Sequence, residues 1–304
     1  MTHRGVAACV AALGFWAVPL VAQAPLETRI SRLERQVNEL RALHGLDTTG
    51  APQRAAAAVE TPAELRGNDN VGWGYPGGRG VVLVKEHFVI LHDNERRQPT
   101  WVAYHLTSAD LEGQQPRTGN FRADPALPVG QRAEPEDYSH TGYDRGHMAP
   151  AADFKRSYNA MSETFLLSNI APQRPNLNQG TLERLESQVR SLAQTHGSVW
   201  VVTGALYLDS AEAPAEPRNF IGPNRFPVPT HFYKVLLCEH PDGRHEMFAF
   251  VMSNALDVRR GQPSEYVATV DRVERLSGLD FFAALPDEEE DRLEALLNDS
   301  WPPR

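Results

Sequence analysis

Asp144-Arg145-Gly146-His147-Met148-Ala149-Pro150 puts an acid, a guanidinium and an imidazole within four positions. That set can hydrolyse a phosphodiester. His147 titrates close enough to neutrality to take a proton from water. Arg145 offers a planar, permanently charged fork to developing phosphate charge. Gly146 lets the backbone approach closely or turn sharply, and Asp144 reads as a hydrogen-bond acceptor. Downstream, Leu167-Ser168-Asn169-Ile170-Ala171-Pro172-Gln173 precedes Asn176-Leu177-Asn178-Gln179-Gly180 and Glu186. Carboxamides and one carboxylate thus gather around an expected helix start. Eight residues separate Asn178 from Glu186, which differ by roughly 80° around an α-helix and can face one site. Amide and carboxylate oxygens with retained waters suit a hard cation, Mg²⁺ in particular. Asn178 is also a good helix N-cap and Glu186 an ordinary solvated helix charge, so those readings stand beside the chemical one.

Positioning these groups requires a scaffold, and the apolar pattern supplies one. Gly80–Val84, His87–Leu91 and Trp101–Leu106 read as three strands, the first two a hairpin. Residues 112–145 are polar and rich in Gly, Pro, Asp and Arg, hence mostly loop. A helix is expected from Asn178 to Thr195, with Leu182, Leu185, Val189 and Leu192 on one face. Strands follow at Ser198–Thr203, Thr230–Leu237 and Met247–Met252, and helices at Ser264–Leu276 and Asp287–Leu297. Without a regular βαβ rhythm, this mixture points to α+β.

The block Asp144–Pro150, the run from Leu167 through Gln173, Asn178-Gln179-Gly180 and Glu186 together resemble the DNA/RNA non-specific endonuclease family. This is the ββα-metal (His-Me finger) group, which includes secreted bacterial sugar-non-specific nucleases and mitochondrial endonuclease G. Val201-Val202-Thr203-Gly204, Pro229–Val235 and Val273-Glu274 through Gly278–Phe282 extend the similarity over roughly Val71 to Pro286. Several separated motifs in order make it specific, where a lone Arg-Gly-His would not be. The resemblance implies a central, mainly antiparallel sheet flanked by helices and a one-metal hydrolytic mechanism. His147 would be the general base and Asn178 the one direct protein ligand of Mg²⁺, with Mn²⁺ or another divalent ion also compatible. Glu186 would hold a metal-bound water, and Asn169 would position phosphate or the histidine region. Arg145 would stabilise the transition state. An upstream arginine would contact phosphate, with Arg122 preferred over Arg117. DNA and RNA would be the substrates, cut to 5′-phosphate and 3′-hydroxyl ends. One departure is Leu182, where many relatives carry tryptophan.

The 304-residue chain has a net charge of −9, with 41% hydrophobic and 23% charged residues. Disorder throughout, collagen and a multi-span membrane protein are poor fits. An acidic total argues against gripping polyanions with the whole surface, yet a basic cleft is local, and Arg117, Arg122, Arg132, Arg145, Lys155, Arg156 and Arg174 gather near the proposed site. Residues 1–24 combine Arg4, an apolar run from Gly5 to Val21 and Ala22-Gln23-Ala24, the pattern of a secretory signal peptide or an uncleaved inner-membrane anchor. Secretion or a periplasmic location follows from either. Residues 25–46 carry a heptad seam at Leu26, Ile30, Leu33, Val37 and Leu40, which suggests a short coiled coil and a homo-oligomer formed through residues 26–44. Residues 47–70 read as a linker, 71–286 as the nuclease domain and 287–304 as an acidic helix and tail. Cys238 is the one cysteine after residue 24, so an internal disulfide of the exported part is excluded. Two other function classes compete: a catalytically silent nucleic-acid-binding scaffold oligomerised by its coiled coil, and a phosphodiesterase of the same fold acting on small substrates.

Overall fold

In the computed structural model, residues 60–209, 213–214, 217, 219–255, 261–298 and 301–302 are described. The signal or anchor segment 1–24, the heptad helix 25–46 and linker positions 47–59 lie outside them. The strands are β1 (Val81–Val84), β2 (Val89–Asp93), β3 (Gln98–Thr107), β4 (Asp144–His147), β5 (Ile170–Gln173) and β6 (Ser198–Leu206). After them come the short β7 (Leu208–Asp209), β8 (Ala213–Pro214), β9 (Asn219–Ile221) and β10 (Phe226–Val228). The long β11 (His231–Glu239) and β12 (His245–Ser253) and a two-residue β13 (Val267–Ala268) complete the set. Helices are α1 (Tyr158–Glu163), α2 (Glu183–His196), α3 (Val270–Ser277) and α4 (Asp287–Glu294).

Seven strands form one antiparallel sheet in the order β1-β2-β3-β6-β11-β12-β13. Side chains alternate across it, as a period of two demands. Phe232, Leu236, Phe248, Phe250, Val102 and Tyr104 face one core with α2. Tyr233, Val235, Met247, Trp101 and Val89 face a second core with α3. Both faces are covered, which explains why the strands read as near-continuous apolar runs. Trp101 and Trp200 are buried in the second core and Cys238 in the first, the structural roles their sequence context gives them.

Three elements differ from the sequence reading. Folded chain begins before Val71: Leu65 is buried in the second core, and Trp200 Nε1 donates to the Asp69 carbonyl, so the end of the supposed linker packs on the domain. Ser264–Leu276 is not one helix. A 3-10 turn at Pro263–Tyr266 leads into β13, which pairs with β12, and only then does Thr269 cap α3 by accepting from Arg272 N. Residues 287–304 are not a free tail either. Leu293 is buried, and Trp301 packs edge-on against Phe248 and Phe250 while its Nε1 donates to Gln188 on α2. No helix among the described residues is long and apolar enough to cross a membrane.

Candidate active site

At the end of the loop-rich stretch 112–145, Asp144–His147 form a strand. β4 pairs antiparallel with β5, setting Asp144 opposite Gln173, Gly146 opposite Ala171 and His147 opposite Ile170. Gly146 is required by close approach: a Cβ there would sit 2.1 Å from Gln173 Cδ and Oε1. Asn169, fully buried just before β5, ties down the chain beyond His147. Its Oδ1 accepts from Ala149 N, and its Nδ2 donates to the carbonyls of Ala149 and Thr164. Its amide is thereby spent on backbone, which places it beneath the histidine segment and away from any phosphate.

The chain then crosses to the helix expected at Asn178, which opens with a π-helical turn, Leu177–Leu182, before α2. Asn178 lies inside that turn and is not an N-cap. Its Nδ2 donates to Asp144 Oδ2 at 2.8 Å, and Gln179 Nε2 donates to the same oxygen at 2.8 Å. With its nitrogen engaged, the Asn178 amide keeps Oδ1 for another partner. Asp144, Arg145, Asn178 and Gln179 line a cavity of about 540 Å³, with Phe121, Tyr138, Ser139, His140 and Tyr143 as the remaining wall.

His147 stands behind this wall with its ring against Phe121 and Phe165, centroids 5.4 and 4.9 Å away. Burial first, then the Arg117 charge, pulls its pKa down to about 3, so it is neutral at pH 7 and not near its titration point as a solvated histidine would be. Its Nε2 is enclosed without a hydrogen-bond partner. The same aromatics carry the cations: Arg145 lies over Phe121 at 5.2 Å and Arg117 over Phe165 at 4.8 Å.

Two expected residues are not at the cavity. The Arg122 guanidinium donates to the carbonyls of Asn120 and Ser162 at 3.3 and 2.9 Å, leaving Arg117 as the upstream arginine beside His147. Glu186 faces inward to a buried charged network. Asp153 there accepts from Arg190 at 2.9 Å and from Tyr104 OH at 3.1 Å. Lys234, buried on the same sheet face, is the strongest charge opposing the burial that raises Glu186 to about 7. Sequence reasoning missed Phe121, Phe165, Asp153, Arg190 and Lys234 as neighbours of the site. Only Lys234 left a signal, as the lone charge in the apolar run of β11.

Residues 66–288 match the model of the DNA/RNA non-specific endonuclease family. The chain belongs to that family. It is 39% identical to mitochondrial endonuclease G of Homo sapiens over 69% of this chain and 71% of that protein. Against the mitochondrial nuclease EXOG of Danio rerio the identity is 41%, over 65% of this chain and 59% of the relative. EndoG, solved in the EndoG/EndoGI complex that describes the mechanism of EndoG inhibition, superposes with a TM-score of 0.68 at 33% identity, covering 76% of this chain and 96% of that one. This member of the non-specific endonuclease family is a nuclease, metal-dependent as the family is. Its central antiparallel sheet flanked by helices is the ββα-metal architecture expected from the motifs.

Proposed function

We propose that the chain is an exported, Mg²⁺-dependent, sugar-non-specific endonuclease that hydrolyses DNA and RNA to 5′-phosphate and 3′-hydroxyl ends. The observation that carries this reading is the convergence of Arg145 and Asn178 on one cavity, with Asp144 orienting the Asn178 amide and His147 immediately behind. The residues fit a hard divalent ion: a carboxamide oxygen turned outward by its own N–H···O bond, beside a carboxylate, in a cavity with room for retained water. Asn178 would hold the ion directly, and Glu186, set in the inward charged network, would not. When bound, the ion supplies Lewis-acid and leaving-group stabilisation.

The protein's own groups do the rest. The neutral His147 ring accepts the proton of the attacking water. A neutral base is ready at pH 7, and a phosphate anion beside it opposes burial and Arg117, raising its basicity for the step. Phe121 and Phe165 hold the ring in place. Arg145 and Arg117, each lying over an aromatic face, bind phosphate oxygens as charge develops in the transition state. Asn169 keeps the segment after His147 rigid.

The N-terminal pattern supports export, and the heptad seam supports self-association through residues 26–44. If the apolar segment stays uncleaved, the protein is held at the inner membrane. Digestion of plasmid and RNA by pure protein, with and without EDTA, tests the enzymatic reading. Metal-restored cleavage of both, with 3′-hydroxyl ends, is expected; no cleavage in any divalent ion would favour the silent scaffold. Deleting residues 25–45 should lower the mass by light scattering and leave cleavage intact.

A further inference from the structure

Tyr143, on the wall of the catalytic cavity, carries a cation of its own. The Arg174 guanidinium lies over its ring with Cζ 4.0 Å from the centroid, closer than the 5.2 and 4.8 Å of Arg145 and Arg117 over their phenylalanines. Continuing the β4–β5 register one step past Asp144 and Gln173 sets Tyr143 opposite Arg174, so both side chains leave the hairpin on one side. The backbone there is fixed at both ends. Arg174 N donates to Asn254 Oδ1 at 2.8 Å, and the buried Asn254 amide donates in turn to the carbonyls of Pro172 and Pro229. The Arg174 carbonyl accepts from Leu177 N and Asn178 N at 3.0 and 2.9 Å, the bonds that open the turn carrying Asn178. Arg174 is thus a rigid bridge between the hairpin and the proposed metal ligand.

Other cations gathered near the site in sequence are already engaged: Arg132 by Glu134 at 2.8 Å, Arg156 by Asp110 at 3.2 Å and Arg122 by backbone carbonyls. Among the described residues no carboxylate pairs with Arg174, and its Nε is enclosed without a hydrogen-bond partner. The residue as a whole is only partly buried. A guanidinium held flat on a ring at the rim of a cavity keeps its outer N–H edge for an anion, and that planar edge matches two phosphate oxygens. We propose that Arg174, held on Tyr143, binds a non-reacting phosphate of the polynucleotide next to the scissile one. The inference rests on the reading of the cavity as the catalytic centre, where Arg145 and Asn178 serve the reacting phosphate. A small phosphodiester has no second phosphate to offer, so Arg174 favours polynucleotide chains over single diesters. The contact is the same before and during bond breaking, so it lowers KM and leaves kcat nearly unchanged.

The test measures kcat and KM of the full chain on a short DNA duplex with Mg²⁺ over a series of NaCl concentrations. Arg174→Ala should raise KM roughly tenfold at nearly constant kcat. It should also flatten the dependence of log(kcat/KM) on log salt by about 0.9, the loss of one phosphate contact. Arg174→Lys keeps the charge and should restore the salt dependence, while KM stays raised because the planar fork is gone. Tyr143→Ala should raise KM as well, and combining it with Arg174→Ala should add little, since ring and guanidinium act as one unit. Should Arg174→Ala fold poorly by urea denaturation, Arg174→Gln serves in its place. Arg145→Ala reports on the cavity itself: unchanged kcat there would sink the catalytic reading and this inference with it. If Arg145→Ala loses kcat while Arg174→Ala leaves KM and the salt dependence unmoved, the inference alone is overturned. A fall in kcat at constant KM, or a raised KM with the full salt dependence retained, would overturn it too.

Discussion

Gly146→Ala perturbs the segment that carries Arg145 and His147. The added Cβ would lie 2.1 Å from Gln173 Cδ and Oε1 and 2.5 Å from Cγ. Comfortable carbon contacts begin near 3.5 Å, so the neighbours must separate by about 1.4 Å. The obstruction runs from the stem to the end of the buried Gln173 side chain on β5, so the relief comes from Gln173 together with the hairpin. Overpacking of this kind costs about 1–3 kcal/mol. Arg145 and His147 flank the glycine, and displacing them by an ångström costs roughly 10² in rate. The assay pairs initial rates of plasmid nicking at saturating Mg²⁺ with thermal unfolding of the same samples. Gln173→Ala in the Gly146→Ala background removes the obstructing atoms, so the double variant should recover much of the rate. Wild-type rate and Tm in Gly146→Ala would refute the reasoning, and so would a double variant no faster than the single.

Arg117→Ala should slow cleavage roughly 10²-fold, whereas Arg122→Ala should cost about 1.5–3 kcal/mol of stability with little change in rate, since its Nη1 donates to two backbone carbonyls; rates and denaturation midpoints separate the two. His147→Gln should lose roughly 10²–10⁴ in rate while remaining folded. Because the folded pKa of His147 lies at about 3, below its ordinary 6.5, its contribution to stability is present above pH 6.5 and is lost as pH falls toward 3. Urea midpoints across pH 3 to 7 should therefore fall more steeply in wild type than in His147→Gln. Trp301→Ala should destabilise the fold by about 3–5 kcal/mol, read as a lowered Tm, because that ring lies against Phe248 and Phe250.

Strand positions and both cores are legible because alternation survives even where both faces are apolar: Phe232 and Leu236 point one way, Tyr233 and Val235 the other. The meeting of Asp144, Arg145 and Asn178 at one cavity is legible because the first two are contiguous and the third belongs to a motif. What could not be read depends on contacts between distant segments. The choice between Arg117 and Arg122 turns on which guanidinium meets backbone carbonyls, and neither spacing nor composition records that. Phe121 and Phe165 look like ordinary core residues until His147 lies between them. Glu186 and Lys234 meet only once α2 is laid across β11. The acidic run from Asp287 reads as solvated because helical periodicity does not say that α3 will present carboxylates to the same face.

The π turn at Leu177–Leu182 has a consequence of its own. A wider turn advances each residue through a smaller angle than the α-helix does, so it brings Asn178 and Glu186 closer to one meridian than the roughly 80° of an unbroken helix. The alignment is thus set by how many residues the turn contains as much as by which ones. Substitutions at its solvent-facing positions leave that alignment untouched. Losing one residue between Asn178 and Glu186 would wind the turn back to α and leave seven α-helical steps, roughly 20° apart around the axis, so the shared face survives while the pair moves about 1.5 Å closer along it.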